Sequence, residues 1–235
     1  FLDSGIYSYV FYEMAGYTEF KNINLIMGKI GISLLNIADW GTSYGVTFEN
    51  ITFNSTESMT TVNANNFGFA VINALYTMGE GKAVYTFKNI TNNVNLQNEG
   101  TCTGFLVGSG PCFNAQAEMY YINCVNNGII SGTSSVGFLY GNSAYIESVS
   151  ESNSEIHVEN CKNNSKFSSI KDGAIVAFAP KLDNLNEMCQ ESVGGSFLAN
   201  SYLNGKDFTV NQNGSTFTIN TKDNSVYYKL MVDVS

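Results

Sequence analysis

The residues of this sequence that could perform acid–base chemistry are few and scattered. Cleavage of an acidic polysaccharide needs two carboxylates on one face, or a basic residue held against a substrate carboxylate. The Asp residues show no regular spacing and lie at positions 3, 39, 172, 183, 207, 223 and 233. Apart from the single His, every basic side chain is Lys, because the sequence contains no Arg. We therefore expect no enzyme, and a polysaccharide lyase or hydrolase is only a third hypothesis.

Cysteine and histidine predict no metal or cofactor site. There is no C-x-x-C pair, and the single His, His157, has the parity of the outward-facing residues in its strand-like run. Cys102 and Cys112 flank a Gly-rich stretch, and a disulfide that closes this loop would contribute roughly 2 to 3 kcal/mol. The alternative is that both are buried thiols. We predict the disulfide, no metal and no cofactor.

Two recurring marks organise the rest of the chain. The first is an aromatic or branched residue, any residue, Asn and a small apolar residue. It occurs at Phe20–Ile23, Phe48–Ile51, Phe87–Ile90, Tyr121–Cys124 and Val158–Cys161. The second is a Gly that opens an apolar run. It occurs at Gly31, Gly68, Gly104, Gly137, Gly173 and, more loosely, Gly195.

The spacing and composition of these repeats predict stacked β-strands. Successive Asn marks are 28, 39, 34 and 37 residues apart, and insertions fall between marks, as in solenoids. The segments are rich in Phe, Tyr, Val, Ile, Thr, Asn and Gly. Apolar and polar residues in these segments also alternate with period two, which disfavours a helical repeat of similar length.

The Asn of the first mark is predicted to turn each strand through a corner. Apolar and polar residues alternate along Ile156–Glu159, but the register flips at Asn160, so that Cys161 is again apolar. A single residue in the left-handed conformation would keep the apolar residues before and after the corner pointing inward, and Asn tolerates this conformation. Stacked corners would place Asn amides about 4.8 Å apart, in a hydrogen-bonded ladder. Cys124 and Cys161 replace Ile at two corners, either as a stack of small buried residues or within disulfide range.

These patterns predict an all-β fold. We expect a parallel β-helix, a solenoid of about six coils, over residues 1–200. Within it, the Leu and Met spacing of residues 180–191 predicts one short helix. Residues 201–235 contain three strand-like runs separated by Asn-Gly and Asp-Asn turns, which predict a C-terminal antiparallel meander or cap in the same domain.

The two marks resemble those of right-handed parallel β-helices in secreted and surface proteins. The nearest likeness is to the repeats of polymorphic membrane proteins and related adhesins, which pair an F-x-x-N mark with G-G-A-[I/L/V]. Tyr120–Asn123 fits the first form, and Gly173–Ile175 fits the second apart from Asp172 in place of a Gly. The resemblance covers roughly residues 20–200. It implies a surface location and an adhesive or structural use.

Composition bears on partners and compartment. The formal net charge is -9 and Arg is absent, which disfavours nucleic acid as a partner. No run approaches the roughly 18 to 20 apolar residues of a membrane span. Sequons predict glycosylation in loops at Asn54, Asn163 and Asn213, whereas Asn50 and Asn89 also fit sequons but are interpreted as corners. With the predicted disulfide, these features favour an extracellular or cell-surface protein.

Two sets of aromatic residues are predicted interface candidates. If side chains alternate along these strands, either the residues directly after the Gly mark or the residues that follow them point outward. These sets are Phe69, Phe105 and Phe138, and Ala70, Leu106 and Leu139. An exposed row would be a contact surface, although a loop or the short helix could cover it. Tyr227 and Tyr228 lie in the last strand-like run, which either covers the last coil or pairs with a neighbouring molecule.

We expect a non-enzymatic structural or adhesive protein, self-assembling or part of a larger repeated chain. Because the sequence begins at Phe1 and not at Met, we expect a processed product or an excised fragment. Expected partners are other copies, neighbouring domains of the same chain, or a glycan or cell-surface ligand. The alternative is a carbohydrate-binding β-helix, which would show aromatic side chains in an exposed row.

Overall fold

The computed structural model of the chain describes most of the repeats and three C-terminal strands. The residues described are 9–14, 16–38, 44–73, 82–110, 116–138, 140–143, 155–165, 167–171, 175–177, 208–213, 216–221 and 225–229. The predicted helix at 180–191 and the Gly marks at Gly173 and Gly195 lie outside them. Within these residues every regular element is a β-strand, so the all-β prediction is confirmed.

The strands are short except where they carry the Asn mark. Numbered along the chain, they are β1 (Tyr9–Met14), β2 (Tyr17–Met27), β3 (Ser33–Ala38), β4 (Tyr44–Ser55), β5 (Thr60–Val62), β6 (Asn66–Phe67), β7 (Val71–Asn73), β8 (Lys82–Asn92), β9 (Leu96–Asn98), β10 (Cys102–Gly104), β11 (Val107–Gly110), β12 (Gln116–Ile122), β13 (Val125–Asn126), β14 (Ile130–Gly132), β15 (Ser135–Gly137), β16 (Asn142–Ser143), β17 (Glu155–Glu159), β18 (Lys162–Asn163), β19 (Phe167–Ser169), β20 (Ile175–Ala177), β21 (Phe208–Asn213), β22 (Thr216–Thr221) and β23 (Ser225–Lys229).

Four sheets result, and from β4 to β17 the chain visits them in a constant order. The long sheet has ten strands and contains β2, β4, β8, β12 and β17, side by side and parallel. Three shorter sheets are β5-β9-β14-β19, β6-β10-β15-β20 and β1-β3-β7-β11-β16. From β8 the chain passes through β9, β10 and β11 and returns as β12 beside β8. This path of parallel strands is compatible with the predicted solenoid.

The left-handed corner is confirmed at every Asn mark. The non-Gly residues with positive φ in the described chain, at 50° to 58°, are Asn22, Asn50, Asn89, Asn123 and Asn160. At Asn50, Asn89 and Asn123 the apolar residues on both sides of the corner are buried: in β8, for example, Phe87 and Ile90 are buried, while Asn89 between them is exposed. The corner therefore lets one strand line the core on both of its arms.

Stacked side chains fill the core along the direction in which the repeats accumulate. The ring centroids of Phe20 and Phe48 are 5.0 Å apart, those of Phe48 and Phe87 5.3 Å, and those of Phe87 and Tyr121 4.9 Å. Phe11 lies 5.3 Å from Phe20 at the end of this column. Each such pair contributes roughly 0.5 to 1.5 kcal/mol beyond its buried area. The aromatic residue of the first mark thus joins successive repeats.

The Gly mark reflects a close approach of the backbone. At Gly104, a Cβ would lie 1.7 Å from the carbonyl oxygen of Val107, so no other residue fits. This glycine ends β10 and the chain then turns through Phe105 and Leu106 into β11. Gly137 is the register partner of Gly104 in the next repeat. The two marks therefore have different physical origins, since one needs a positive φ and the other needs the absence of a side chain.

Three asparagine ladders run along the stack. The predicted one joins the corners: Asn50 Nδ2 donates to Asn22 Oδ1 at 3.1 Å, and Asn89 and Asn123 continue the row at 3.0 Å. A second exposed ladder, with bonds of 2.8 to 3.0 Å, contains Asn24, Asn54, Asn93, Asn127 and Asn164. A third ladder is buried.

The buried ladder joins Asn92, Asn126 and Asn163. Asn92 Nδ2 donates to Asn126 Oδ1, and Asn126 Nδ2 donates to Asn163 Oδ1, both at 2.7 Å. Each side chain also bonds the backbone two residues ahead, as Asn126 does to Gly128 O at 2.8 Å. Burial of a polar group without a hydrogen-bond partner is energetically unfavourable. The hydrogen bonds along the connected row offset the desolvation of these amides.

The C-terminal strands cover the last described layer of the long sheet. β22 pairs antiparallel with β18, and β23 pairs antiparallel with β17, so the two lie along both arms of the strand with its corner at Asn160. β21 pairs antiparallel with β22 on the outside. The predicted antiparallel segment is present, but β22 and β23 extend the long sheet individually instead of forming a free meander.

The neighbouring asparagines Asn126 and Asn127 provide a stability test. Asn126→Ala removes a buried amide and leaves Asn163 Oδ1 without its ladder donor, whereas Asn127→Ala removes an exposed amide. We expect Asn126→Ala to lower the free energy of unfolding by about 2 to 4 kcal/mol and Asn127→Ala by about 1 kcal/mol or less. Urea unfolding followed by circular dichroism measures both. Equal losses would contradict the distinction between the ladders.

Candidate functional site

The outer face of the long sheet carries a column of alternating charges. Strand alternation directs Lys21, Glu49 and Lys88 outward at register-matched positions of β2, β4 and β8. Lys21 Nζ lies 2.7 Å from Glu19 and 3.6 Å from Glu49, and Lys88 Nζ lies 2.9 Å from Glu49. The hydrogen bond to Glu19 is the main cause that raises the pKa of Lys21. The hydrogen bond from Lys88 is the main cause that lowers the pKa of Glu49.

A second group on this face, which we call the outer cluster, contains Lys82, Glu118, Tyr120 and His157. Lys82 forms an ion pair with Glu118, and the Tyr120 hydroxyl donates to Glu118 Oε2 at 2.8 Å. The rings of Tyr120 and His157 stack with their centroids 4.5 Å apart and an interplanar angle of 10°. Glu118 and Tyr120 belong to β12, Lys82 to β8 and His157 to β17, so three repeats contribute.

The outer cluster keeps its carboxylate ionised. Partial burial alone would raise the pKa of Glu118, but the hydrogen bonds from Lys82 and Tyr120, with the charges of Lys82 and His157, hold it below its ordinary value. A general acid at neutral pH needs the opposite shift. The arrangement therefore suits a structural ion pair better than proton transfer.

The stacking geometry also limits sugar binding. A sugar stacks on an open aromatic face, but one face of the Tyr120 ring is occupied by His157. Tyr17 is the most exposed aromatic side chain among the described residues, at 80 %, and its ring lies over Gly45 on the same sheet face. In register, β4 and β8 separate Tyr17 from the position of Tyr120. The exposed row expected for a carbohydrate-binding surface is not formed by these residues.

The predicted Phe interface needs correction. Phe69, Phe105 and Phe138 stack in the order expected, but all three side chains have 0 % exposure, as do Ala70 and Leu106. Leu139 lies outside the described residues. Both neighbours face inward because the chain turns there between two sheets, so the period-two rule does not apply. These residues form part of the core and provide no contact surface.

The two corner cysteines are buried thiols. Cys124 and Cys161 follow corner asparagines, and their sulfurs contact the carbonyl oxygens of Phe87 and Tyr121 at 3.3 and 3.4 Å. Burial raises the pKa of the Cys124 thiol well above its ordinary value. The stack of small buried residues is therefore the correct alternative. Cys102 is also buried, whereas Cys112 lies outside the described residues, so a disulfide between them stays a prediction.

The glycosylation candidates lie in three different settings. Asn163 is 1 % exposed and its Nδ2 donates to Ser165 O at 2.9 Å, so it is not in an open loop as expected. Asn54 is half-buried at the second exposed ladder, where its Nδ2 donates to Asn24. Asn213 is the last residue of β21. Glycosylation at Asn54 and Asn213 stays a prediction.

The remaining predicted interface residues lie in the C-terminal cover. Tyr227 is the register partner of His157, and Tyr228 that of Ile156, in the antiparallel pair of β23 and β17. Their strand is thus already paired within the chain. The outer cluster was not predicted, although the period-two alternation of Lys82–Lys88 and the outward parity of His157 could have located part of it.

Comparison with family models, with curated proteins and with solved structures gives no match to this chain. The likeness to polymorphic membrane proteins therefore stays a prediction. Among the described residues, no group of three or more His, Cys, Asp or Glu side chains is arranged to bind a metal ion. A helix of sufficient length and hydropathy to span a membrane is likewise not found in this part of the chain.

The burial of Phe105 gives a direct test of the corrected assignment. Phe105→Ala should lower the free energy of unfolding by about 3 to 5 kcal/mol because it opens a cavity in the core. Ile170→Ala, at a 42 % exposed side chain, should cost about 1 kcal/mol or less. Urea unfolding combined with light scattering separates the two. A change in association without a loss of stability in Phe105→Ala would restore the interface assignment.

The ion pair in the outer cluster predicts a pH dependence. Because the folded-state pKa of Glu118 is lowered, its stabilising contribution is present above its unfolded pKa and is lost as the pH falls through the folded pKa. Lys82→Gln removes the cation, so the pKa of Glu118 should rise and the loss should begin at a higher pH. Carboxyl NMR titration measures the pKa directly. Lys88→Gln, which affects Glu49, is the matched control and should leave Glu118 unchanged.

Proposed function

We propose that this chain is a right-handed parallel β-helix that serves as a non-enzymatic structural or adhesive element outside the cell or on its surface. The observation that carries the proposal is the use of polar side chains as ladders between repeats. Asparagines bond along the stack in two exposed rows and one buried row, and Lys and Glu alternate in a further column. Such contacts support a rigid scaffold with flat outer faces.

The proposed architecture follows from the same repeats. The five parallel layers of the long sheet each turn at a left-handed Asn corner. From β4 to β17, each layer visits the three shorter sheets and returns beside the previous layer. At about 4.8 Å per layer, and with a sixth predicted repeat, the body would be about 30 Å long. Successive layers leave the outer faces shallow, which suits contact with large partners. The right-handed sense rests on the resemblance of the two sequence marks.

The surface location is supported by sequence features. The marks resemble those of surface β-helices, and two sequons, at Asn54 and Asn213, remain candidates for glycosylation. A low content of charged residues, 13 %, and the absence of Arg fit a scaffold better than a protein for nucleic acid. The carbohydrate-binding alternative is less favoured, because Tyr17 and Tyr120 do not form an exposed aromatic row.

Antibody access on intact cells of the source tests the proposal. An antibody raised against the folded chain should label intact cells or the culture medium, with no further increase after permeabilisation. A cytosolic marker serves as the control for membrane integrity. Beads coated with the folded chain should adhere to the same cells, and beads coated with the heat-unfolded chain should not. Labelling only after permeabilisation, or equal adhesion of both coatings, would reject the proposal. A glycan array tests the alternative.

A further inference from the structure

The first edge of the long sheet has no neighbour among the described strands. β2 is eleven residues long and pairs on one side with β4, while no described strand lies on its other side. A strand edge of this length presents a row of free N–H and C=O groups, which proteins cover, charge or pair. The opposite edge is treated differently, because β22 and β23 cover it.

Exposed apolar side chains lie at the same end. Eight large hydrophobic residues are exposed among those whose side-chain exposure the structure describes, which lie within 9–171. Six of them belong to β1, β2 and the segment after β2, and these are Val10, Phe11, Tyr12, Tyr17, Ile26 and Ile30. Ile26, in β2, is 61 % exposed. Exposed apolar side chains grouped in this way favour an interface there.

The exposed ladders also end there with unused donors. Each Asn donates its Nδ2 to the Oδ1 of the preceding repeat, so Asn22 and Asn24 accept bonds from Asn50 and Asn54. Their own Nδ2 groups have no protein partner among the described residues. The ladder polarity therefore leaves hydrogen-bond donors at the open edge, beside the free backbone groups of β2.

Charge permits this edge to meet an identical one. Residues 9–30 contain two Glu and two Lys, a net charge of zero, although the whole chain carries -9. A second copy is repelled less at this end than elsewhere. The edge presents both apolar side chains and free backbone N–H and C=O groups. Two identical edges can therefore bind each other, as a two-fold interface requires.

We propose that the first edge binds the first edge of a second copy, with β2 antiparallel to β2 about a two-fold axis near Asn22. The other end of the chain supplies the precedent, because β22 and β23 already pair antiparallel with both arms of a cornered strand. An axis through the corner brings the two cores into line and covers Phe11 and Phe20. Because β22 and β23 cover the last described edge of the long sheet, we expect assembly to stop at a dimer and not to produce a filament.

This inference rests on the proposed stack of repeats, but not on the proposed location or adhesion. Sedimentation equilibrium of the full chain over a range of concentrations should give twice the monomer mass of 25.6 kDa. Ile26→Lys, which places a charge on the edge, should raise the dimer dissociation constant by about tenfold or more. Ile170→Lys changes a residue that is 42 % exposed away from this edge and should change it by less than about twofold.

Crosslinking tests the antiparallel arrangement. Lys21→Cys places a thiol next to the two-fold axis, so a short bismaleimide should join two copies through position 21. Lys88→Cys is the matched control, because it lies in the same column two strands further in. Across the dimer, the two copies of position 88 would be five strand spacings apart, about 24 Å, beyond the reach of the reagent. The unsubstituted chain is the control that shows how much crosslinking the native cysteines produce.

The outcomes separate the dimer from the scaffold proposal. A monomer at all concentrations with β-type circular dichroism overturns the dimer and leaves the scaffold standing; residues 1–8 would then be the first occupant to examine. Open-ended filaments also overturn the closed dimer. Equal effects of Ile26→Lys and Ile170→Lys, or equal crosslinking at positions 21 and 88, overturn the assigned surface. A chain without β structure overturns both proposals.

Discussion

The constraint on which the rest of the structure depends is the left-handed conformation of one Asn in each repeat. Without it, a strand of period two would turn its apolar residues away from the core after the corner. With φ between 50° and 58°, the chain bends and resumes with its apolar residues still inward. The aromatic column, the buried small residues and the parallel register all follow from this change of parity. Asn fits the position because it tolerates positive φ and adds an amide that bonds to the next repeat.

The corner was predictable because it alters a pattern within a few residues. The change of parity at Asn160 is visible in the sequence, and the recurrence of the mark at Asn22, Asn50, Asn89 and Asn123 indicates stacking. The two further ladders were not predicted. Asn92 and Asn93 are adjacent in sequence and have the same side chain, but one is buried and the other exposed. Which of these two side chains is buried depends on the position of the second arm of the strand relative to the next sheet.

The candidate surfaces were less predictable, for a related reason. Strand alternation predicts that one of Phe105 and Leu106 faces outward, but both lie in a turn between two sheets, where consecutive residues face inward. The outer cluster brings together Lys82, Glu118 and His157 from three repeats, and its register depends on sequence insertions of unequal length between the marks. Sequence periodicity determines which face a residue occupies within a strand. It does not determine which residues of different repeats meet, and single-residue shifts between layers change that completely.

The hydrogen bonds between repeats have a mechanical consequence. Backbone and asparagine bonds run along the stack, whereas the chain itself runs across it. Tension applied between the first and last layers would therefore peel one repeat at a time and would not load all layers in parallel. Each released interval of 28 to 39 residues can extend to about 100 to 140 Å. The five described layers of the long sheet, spaced about 4.8 Å apart, thus hold a much longer tether, which would yield in discrete steps under load.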